Sequence, residues 1–171
     1  GIHTHSHDDD LWFEDDQPFT PECATTVGDL TTVHSWIFGR IGPRLGRQAP
    51  QLVWFARYLC ELAAAWSEDS GRGVWLQEIG APENYVDQDQ APQFLMETLE
   101  ILMGERGGGV SPGLEAVTWW CSHDVSRELS DFPAIEYSLG LLGQDGNPKP
   151  IGEAFHHAAQ RWADLRVQGE Q

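Results

Sequence analysis

The sequence predicts an α/β fold in which three parallel strands alternate with helices. Three observations lead to this prediction. Short apolar segments recur along the chain, each followed by a stretch with apolar residues at intervals of three and four. Residues 74–79 are almost continuously apolar, which is typical of a strand buried on both faces of a parallel sheet. The strand–helix–strand order requires crossover connections, which join parallel strands with right-handed geometry.

The first βα unit begins with a β-prone segment at residues 31–34, followed by a loop rich in glycine, proline and arginine over residues 39–46. A helix is expected to begin near Pro50. Its predicted buried face contains Leu52, Phe55, Ala56, Leu59, Cys60, Ala63 and Trp66. Glycines 71 and 73 end this helix, and the second strand follows over residues 74–79.

The second and third units repeat this order. A proline-flanked loop over residues 82–92 precedes a helix, and glycines 107–109 separate that helix from a third strand at residues 114–120. A long loop then reaches Pro150 and a final helix. The expected buried residues of the two helices are Phe94, Leu95, Leu99 and Leu102, then Ile151, Phe155, Ala158, Ala159, Trp162 and Leu165.

Length sets the architecture that these units can form. A complete (β/α)8 barrel takes about 250 residues. The 171 residues here hold three βα units and the end of a further strand at residues 1–3, which predicts half a barrel. We expect one domain, with an acidic loop beside the active site at residues 1–29 and the three units at residues 30–171.

Composition excludes several kinds of partner. The formal charge of −17 arises from 27 acidic and 10 basic residues, so the chain should repel nucleic acids and anionic membranes. The acidic residues of the first 29 positions are expected to form a solvated loop. Cys23, Cys60 and Cys121 are too few and too widely spaced for a disulfide framework or zinc site, and we interpret them as buried thiols.

Candidate catalytic residues follow the three strands, because active sites of βα barrels lie at the carboxyl ends of the strands. His34 and Trp36 follow the first strand, Glu78 ends the second, and Trp119 with Trp120 ends the third. A carboxylate directly after an apolar strand is costly to bury without a task or a partner. Glu78 is therefore the strongest catalytic candidate.

Two of these segments resemble elements of clan A retaining glycoside hydrolases, and most of all family 5. Residues 75–82 resemble the seventh-strand nucleophile motif, in which Glu is followed by an apolar residue and Gly. His34-Ser35-Trp36 resembles the sixth-strand His-x-Tyr element, whose His orients groups near the nucleophile. Trp36 replaces the Tyr, and so lacks the phenolic hydroxyl that usually contacts the nucleophile.

Two later segments extend the resemblance in the same order. Residues 117–121 resemble the eighth strand, whose Trp forms the floor of a sugar subsite, and residues 139–150 resemble the C-terminal signature of these enzymes. Strand alternation sends Trp119 and Trp120 to opposite faces, so only one can contact sugar. By analogy with relatives in which Trp precedes a small residue and a later Asp, here Asp124, we predict Trp120.

The resemblance implies the C-terminal half, about strands 5 to 8, of a TIM barrel that hydrolyses β-glycosidic bonds with retention and without a cofactor. It assigns Glu78 as nucleophile, His34 as its neighbour, and Trp36, Trp120 (or, in its place, Trp119), His3 and Asp124 to the carbohydrate substrate. In this mechanism a second carboxylate, about 5 Å away, protonates the leaving oxygen. The family's Asn-Glu acid/base pair is absent, so we expect a missing N-terminal half or a second copy to complete the barrel.

Two alternatives stay open. His3 and His5, with His7 and the acidic residues 8–10, match the donor types of a metal-dependent hydrolase, although such folds need further ligands on later strands. A non-catalytic carbohydrate-binding protein would keep the aromatic residues without a pair of carboxylates. The identity of the sugar and the choice between endo and exo cleavage are not encoded in any motif.

Overall fold

The computed structural model describes residues 3–4 and 8–169, and its three strands form one parallel sheet. These strands are β1 (Thr31–Ser35), β2 (Val74–Ile79) and β3 (Leu114–Trp119), in the spatial order β1-β2-β3. The predicted α/β class is confirmed. The further strand expected at residues 1–3 falls mainly on residues outside those described.

Five α-helices cover the described part of the chain. They are α1 (Pro21–Thr26), α2 (Ile41–Leu45), α3 (Phe55–Trp66), α4 (Ala91–Leu102) and α5 (Pro150–Gly169). A 3-10 turn at Leu52–Trp54 leads into α3. The predicted apolar face of α3 is buried except for Trp66, which is 42% exposed because it is the last residue of the helix, before Ser67 becomes extended.

The acidic N-terminal segment is more ordered than its charge suggested. It contains a 3-10 helix at Asp9–Trp12 in addition to α1, and Asp9, Leu11 and Trp12 are buried. The prediction of a fully solvated loop is therefore wrong for this turn. Leu11 and Trp12 join the apolar core, and they draw the neighbouring Asp9 into the protein with them.

The cysteines also differ from expectation. All three are free thiols, but only Cys60 is buried, and burial raises its pKa to about 12. Cys23 is exposed, because it lies on the solvent side of the short helix α1, and Cys121 is half-buried in the loop after β3. Within the part of the chain that the structure describes, no helix is long and apolar enough to cross a membrane.

A buried arginine connects α3 to the glycine-rich turn that follows α4. Arg57 is 7% exposed, and its guanidinium donates hydrogen bonds to the carbonyl oxygens of Ile101, Gly107, Gly108 and Gly109. The turn needs glycine at position 104, where φ is +80° and a Cβ would lie 2.2 Å from the backbone of Gly109.

Candidate active site

An irregularity in strand pairing brings two neighbouring polar residues to the same side of the sheet. Val33 pairs with Leu76, but His34 pairs with Glu78, so that Gln77 is an extra residue in β2. In a regular strand Gln77 and Glu78 would face opposite sides. The bulge turns both toward His34. The oxygen of the Gln77 amide lies 3.0 Å from Nε2 of His34, and Oε2 of Glu78 lies 3.3 Å from its Nδ1.

Glu78 is held through one of its two carboxylate oxygens. Oε2 accepts a hydrogen bond from the indole N–H of Trp36 at 3.0 Å and faces Nδ1 of His34. Among the described residues no donor contacts Oε1. The side chain is 23% exposed, so the carboxylate is fixed but accessible. Such a group can attack an electrophilic carbon through Oε1 while Oε2 is stabilised by two donors.

Trp36 contacts the Glu78 carboxylate, although the absence of a tyrosine hydroxyl at this position predicted that the contact would be lost. Its ring is 9% exposed and lies against Gly80, where an added Cβ would be 2.8 Å from Cζ3 of the indole and 2.9 Å from the carbonyl oxygen of Trp120. The glycine two residues after Glu78 therefore makes room for the larger indole. The Trp36 ring also contacts Phe38, with 5.3 Å between centroids.

Both ring nitrogens of His34 have polar partners. Nδ1 faces two carboxylate oxygens, Oδ1 of Asp8 at 3.2 Å and Oε2 of Glu78 at 3.3 Å, and because these oxygens only accept, Nδ1 is a donor; Nε2 contacts the Gln77 side-chain amide. His34 itself is buried, at 4% exposed. Sequence reasoning missed the contacts of Asp8 and Gln77. The adjacent polar pair Gln77-Glu78 at the end of an apolar strand was a signal of the bulge.

The structure separates the two tryptophans at the end of β3. Trp119 is 6% exposed and belongs to the core, whereas Trp120 is 40% exposed. The backbone N–H of Trp120 donates to the Ile79 carbonyl at 2.8 Å, which places this residue beside the strand end that carries Glu78. Its indole N–H donates to Oε2 of Glu136 at 3.3 Å, and Glu136 lies in the 3-10 helix Ala134–Tyr137. Glu136 was not anticipated.

Asp124 and His3 are engaged elsewhere in the fold. Oδ1 of Asp124 accepts hydrogen bonds from Nζ of Lys149 and the backbone N–H of Gly140, both at 2.8 Å, and so closes the long loop before α5. The His3 side chain is exposed, and its backbone pairs with Asp29. The structure gives neither residue a contact with the Glu78 cluster, which consists of Glu78, His34, Trp36, Gln77 and Asp8. Asp124 is instead a loop-closing residue.

The metal interpretation depends on residues that the structure does not cover. His5 and His7 lie outside the described residues. Among the residues that are described, no group of three or more His, Cys, Asp or Glu side chains is arranged to hold a metal ion.

Arg40 gathers the acidic residues around the 3-10 helix Asp9–Trp12. Its Nη2 donates to Oδ1 of Asp10 at 2.9 Å and to Oε1 of Glu14 at 2.6 Å, and its guanidinium lies 4.7 Å from the Phe13 ring centroid. Its Nε is 3.8 Å from Oδ2 of buried Asp9. Burial, with a smaller contribution from Asp10, raises the pKa of Asp9 to about 6.

Asp9→Asn is expected to stabilise the protein above about pH 6. The folded protein holds the Asp9 proton more tightly than the unfolded chain, because the pKa rises from 3.8 to about 6. The associated stability is complete below the unfolded pKa and is lost as pH rises through about 6. The neutral amide avoids that loss, so the gain should reach no more than about 3 kcal/mol.

Urea unfolding at about pH 5 and about pH 8 tests this expectation, because the gain should be larger at the higher pH. Asp16→Asn removes an equal charge from an exposed position of the same segment and serves as the control. A gain that is the same at both pH values, or equal in the control, would contradict the assignment to Asp9.

Comparison with known proteins identifies close structural relatives. Neither a protein-family profile nor a curated protein matches the sequence. Among solved structures, a GH5_18 protein from Bifidobacterium longum subsp. infantis is 42% identical, with a TM-score of 0.87, and the match covers 94% of this chain and 37% of that protein. A GH5_18 protein from Streptomyces cattleya in complex with GlcNAc is 44% identical, with the same TM-score and coverage.

A third similar structure contains a disaccharide. It is a Glu-to-Ala variant of GH5_18 from Bifidobacterium longum subsp. longum in complex with Manβ1-4GlcNAc, at 46% identity and a TM-score of 0.84. The match covers 93% of this chain and 36% of that protein. The chain thus spans little more than a third of the length of the structures it resembles.

Proposed function

The chain belongs to family 5 of the glycoside hydrolases, in clan A, and we propose that it is part of a retaining β-glycosidase whose nucleophile is Glu78. The main support is the hydrogen bonding of this carboxylate. Trp36 and His34 approach Oε2, while Oε1 remains open at the carboxyl end of β2. This arrangement suits a nucleophile, because one carboxylate oxygen is held by two donors while the other is open for attack.

In this proposal β1, β2 and β3 are the sixth, seventh and eighth strands of a (β/α)8 barrel. Within the described residues, β1 and β3 each pair with a strand on one side only. Beside β3 a cavity of about 270 Å³ is lined by Val117, Leu99, Phe155 and Trp162, where a further barrel element can pack. The remaining strands, with the acid/base carboxylate, then belong to another part of the enzyme.

The reaction has two steps. Oε1 of Glu78 attacks the anomeric carbon as the glycosidic bond breaks, and the leaving oxygen receives a proton from the acid/base carboxylate. Water deprotonated by that same carboxylate then attacks the anomeric carbon and releases Glu78. The open face of Trp120 packs against the C–H groups of the sugar ring.

The relatives support a substrate class for this proposal. One of them was solved with GlcNAc and another with Manβ1-4GlcNAc. We assign the β-mannosidic bond of Manβ1-4GlcNAc as the bond that the complete enzyme cleaves. An alternative, a carbohydrate-binding protein without catalysis, is favoured only by the absence of an Asn-Glu pair in this chain.

The proposal is tested by covalent labelling with 2,4-dinitrophenyl 2-deoxy-2-fluoro-β-mannoside, followed by intact mass and peptide mapping. Dinitrophenolate leaves with little acid assistance, so the labelling does not require the acid/base carboxylate. We expect one fluoromannosyl group on Glu78.

A second arm supplies the upstream half of the Streptomyces cattleya relative by co-expression. If neither sample is labelled, the retaining mechanism through Glu78 is rejected. Calorimetric titration with Manβ1-4GlcNAc then decides whether the chain binds the sugar without catalysis.

Gly80→Ala is expected to slow this labelling by about 10- to 100-fold. The new Cβ would displace the Trp36 ring, and the loss of a hydrogen bond to a charged acceptor has an effect of this size. Gly39→Ala is the matched control, since its Cβ would meet no atom closer than 3.8 Å. Labelling of Gly80→Ala at the wild-type rate would show that the indole contact does not assist Glu78.

A further inference from the structure

Asp8 and Glu78 approach the same imidazole nitrogen. Oδ1 of Asp8 is 3.2 Å from Nδ1 of His34, and Oε2 of Glu78 is 3.3 Å from it. Nδ1 carries a single hydrogen, so the two carboxylates compete for one donor. Among the described contacts of this ring are two acidic side chains at Nδ1 and the Gln77 amide at Nε2.

The Asp8 carboxylate is open to solvent, but the backbone that carries it is fixed. The side chain is 75% exposed. Its carbonyl accepts a hydrogen bond from the Leu11 N–H at 3.2 Å, and Leu11 and Trp12 are buried in the core. Arg40 secures the same turn through Asp10 and Glu14, so Asp8 is presented to His34 by an ordered segment.

We propose that Asp8 is a positioning residue that keeps the His34 N–H in place throughout the reaction. This inference rests on the proposed role of Glu78 as nucleophile. When Glu78 forms an ester with the sugar, it loses its negative charge and becomes a weaker acceptor. The hydrogen bond from Nδ1 then passes to Asp8. No proton is transferred in this change, because the N–H bond stays intact and only its acceptor differs.

Asp8 also affects the free protein. Because it shares the N–H, it limits the stabilisation that His34 gives to the Glu78 carboxylate, which keeps that carboxylate more reactive. Asp8→Asn keeps an oxygen acceptor of the same shape but removes the charge. We expect the labelling rate at saturation to fall by about three- to tenfold, a modest effect that suits an exposed charge. The half-saturating concentration should change less than twofold.

The matched control is Asp16→Asn, which removes one charge from an exposed position of the same acidic segment. Asp8→Glu restores the charge and should recover part of the rate. A spectroscopic readout follows the His34 Nδ1–H resonance by nitrogen-15 NMR. In labelled wild-type protein the resonance should stay downfield, since Asp8 still accepts; in labelled Asp8→Asn it should move upfield.

The outcomes separate this inference from the proposed function. If wild-type protein is labelled neither alone nor with the upstream half supplied, Glu78 is not the nucleophile, although the Nδ1–H resonance of unlabelled protein still reports whether Asp8 contacts His34. If labelling proceeds but Asp8→Asn matches Asp16→Asn in rate and in the His34 resonance, the role of Asp8 is overturned. A fall in rate that Asp8→Glu does not recover, with no change in the resonance, would also overturn it.

Discussion

Replacement of Glu78 by Gln is expected to abolish covalent labelling, with a loss of about 10³-fold or more, because the amide cannot supply the attacking oxygen. The substitution preserves the shape of the side chain. The indole N–H of Trp36 and Nδ1 of His34 can still donate to the amide oxygen, so the site should keep its geometry. The labelled fraction is measured by intact mass against time.

The control for this experiment is Glu83→Gln, an exposed position on the loop after β2 that lies outside the set of residues around Glu78. Both variants should melt within a few degrees of the wild type, since neither creates a cavity. A Glu78→Gln protein that is labelled as fast as wild type, or an adduct mapped to another carboxylate, would remove Glu78 from the mechanism.

The alternation of strands and helices was predictable because burial imposes a period on the sequence. Residues 74–79 were predicted as a strand with the bounds that the structure gives β2. The bulge inside that strand could not be placed from periodicity. A regular alternation sends Gln77 and Glu78 to opposite faces, and only the pairing of His34 with Glu78 reveals the extra residue.

Trp36 shows that a resemblance between sequences does not predict every contact of a substituted side chain. The replacement of Tyr by Trp predicted the loss of a hydroxyl contact, yet the indole N–H reaches the same carboxylate at 3.0 Å. This depends on the position of the ring, which in turn depends on the space above Gly80. Trp36 and Gly80 are 44 positions apart in the sequence, so no local pattern indicates that they pack together.

The acidic N-terminal segment was misread because its charge concealed a short apolar pattern. Leu11, Trp12 and Phe13 are consecutive large apolar residues within a run of carboxylates. Two of them are buried, and the burial brings Asp9 out of water and Asp8 into contact with His34. The apolar triplet was the signal that this segment folds onto the sheet.

Arg57→Met is expected to lower the free energy of unfolding by about 2 to 4 kcal/mol, the largest loss of stability that we predict. The guanidinium donates to the carbonyls of Ile101 and Gly109 at 2.8 Å and to that of Gly108 at 3.1 Å. Methionine fills a similar volume but donates nothing, which removes the buried hydrogen bond to the Ile101 carbonyl and the part-buried bonds to the Gly108 and Gly109 carbonyls. Urea unfolding followed by circular dichroism measures the change.

Arg47→Met is the matched control, because Arg47 also donates to two backbone carbonyls but is 51% exposed. Water can replace the lost hydrogen bonds at this position. The free energy of unfolding should therefore fall by less than about 1 kcal/mol. Equal losses in the two variants would show that burial does not determine the role of Arg57.

In the described structure Arg57 does not contact the Glu78 cluster, and the folded fraction of Arg57→Met should be labelled within about twofold of the wild-type rate. Stability and labelling are thus expected to separate: Arg57→Met loses stability and keeps its reactive carboxylate, whereas Glu78→Gln keeps its stability and loses labelling.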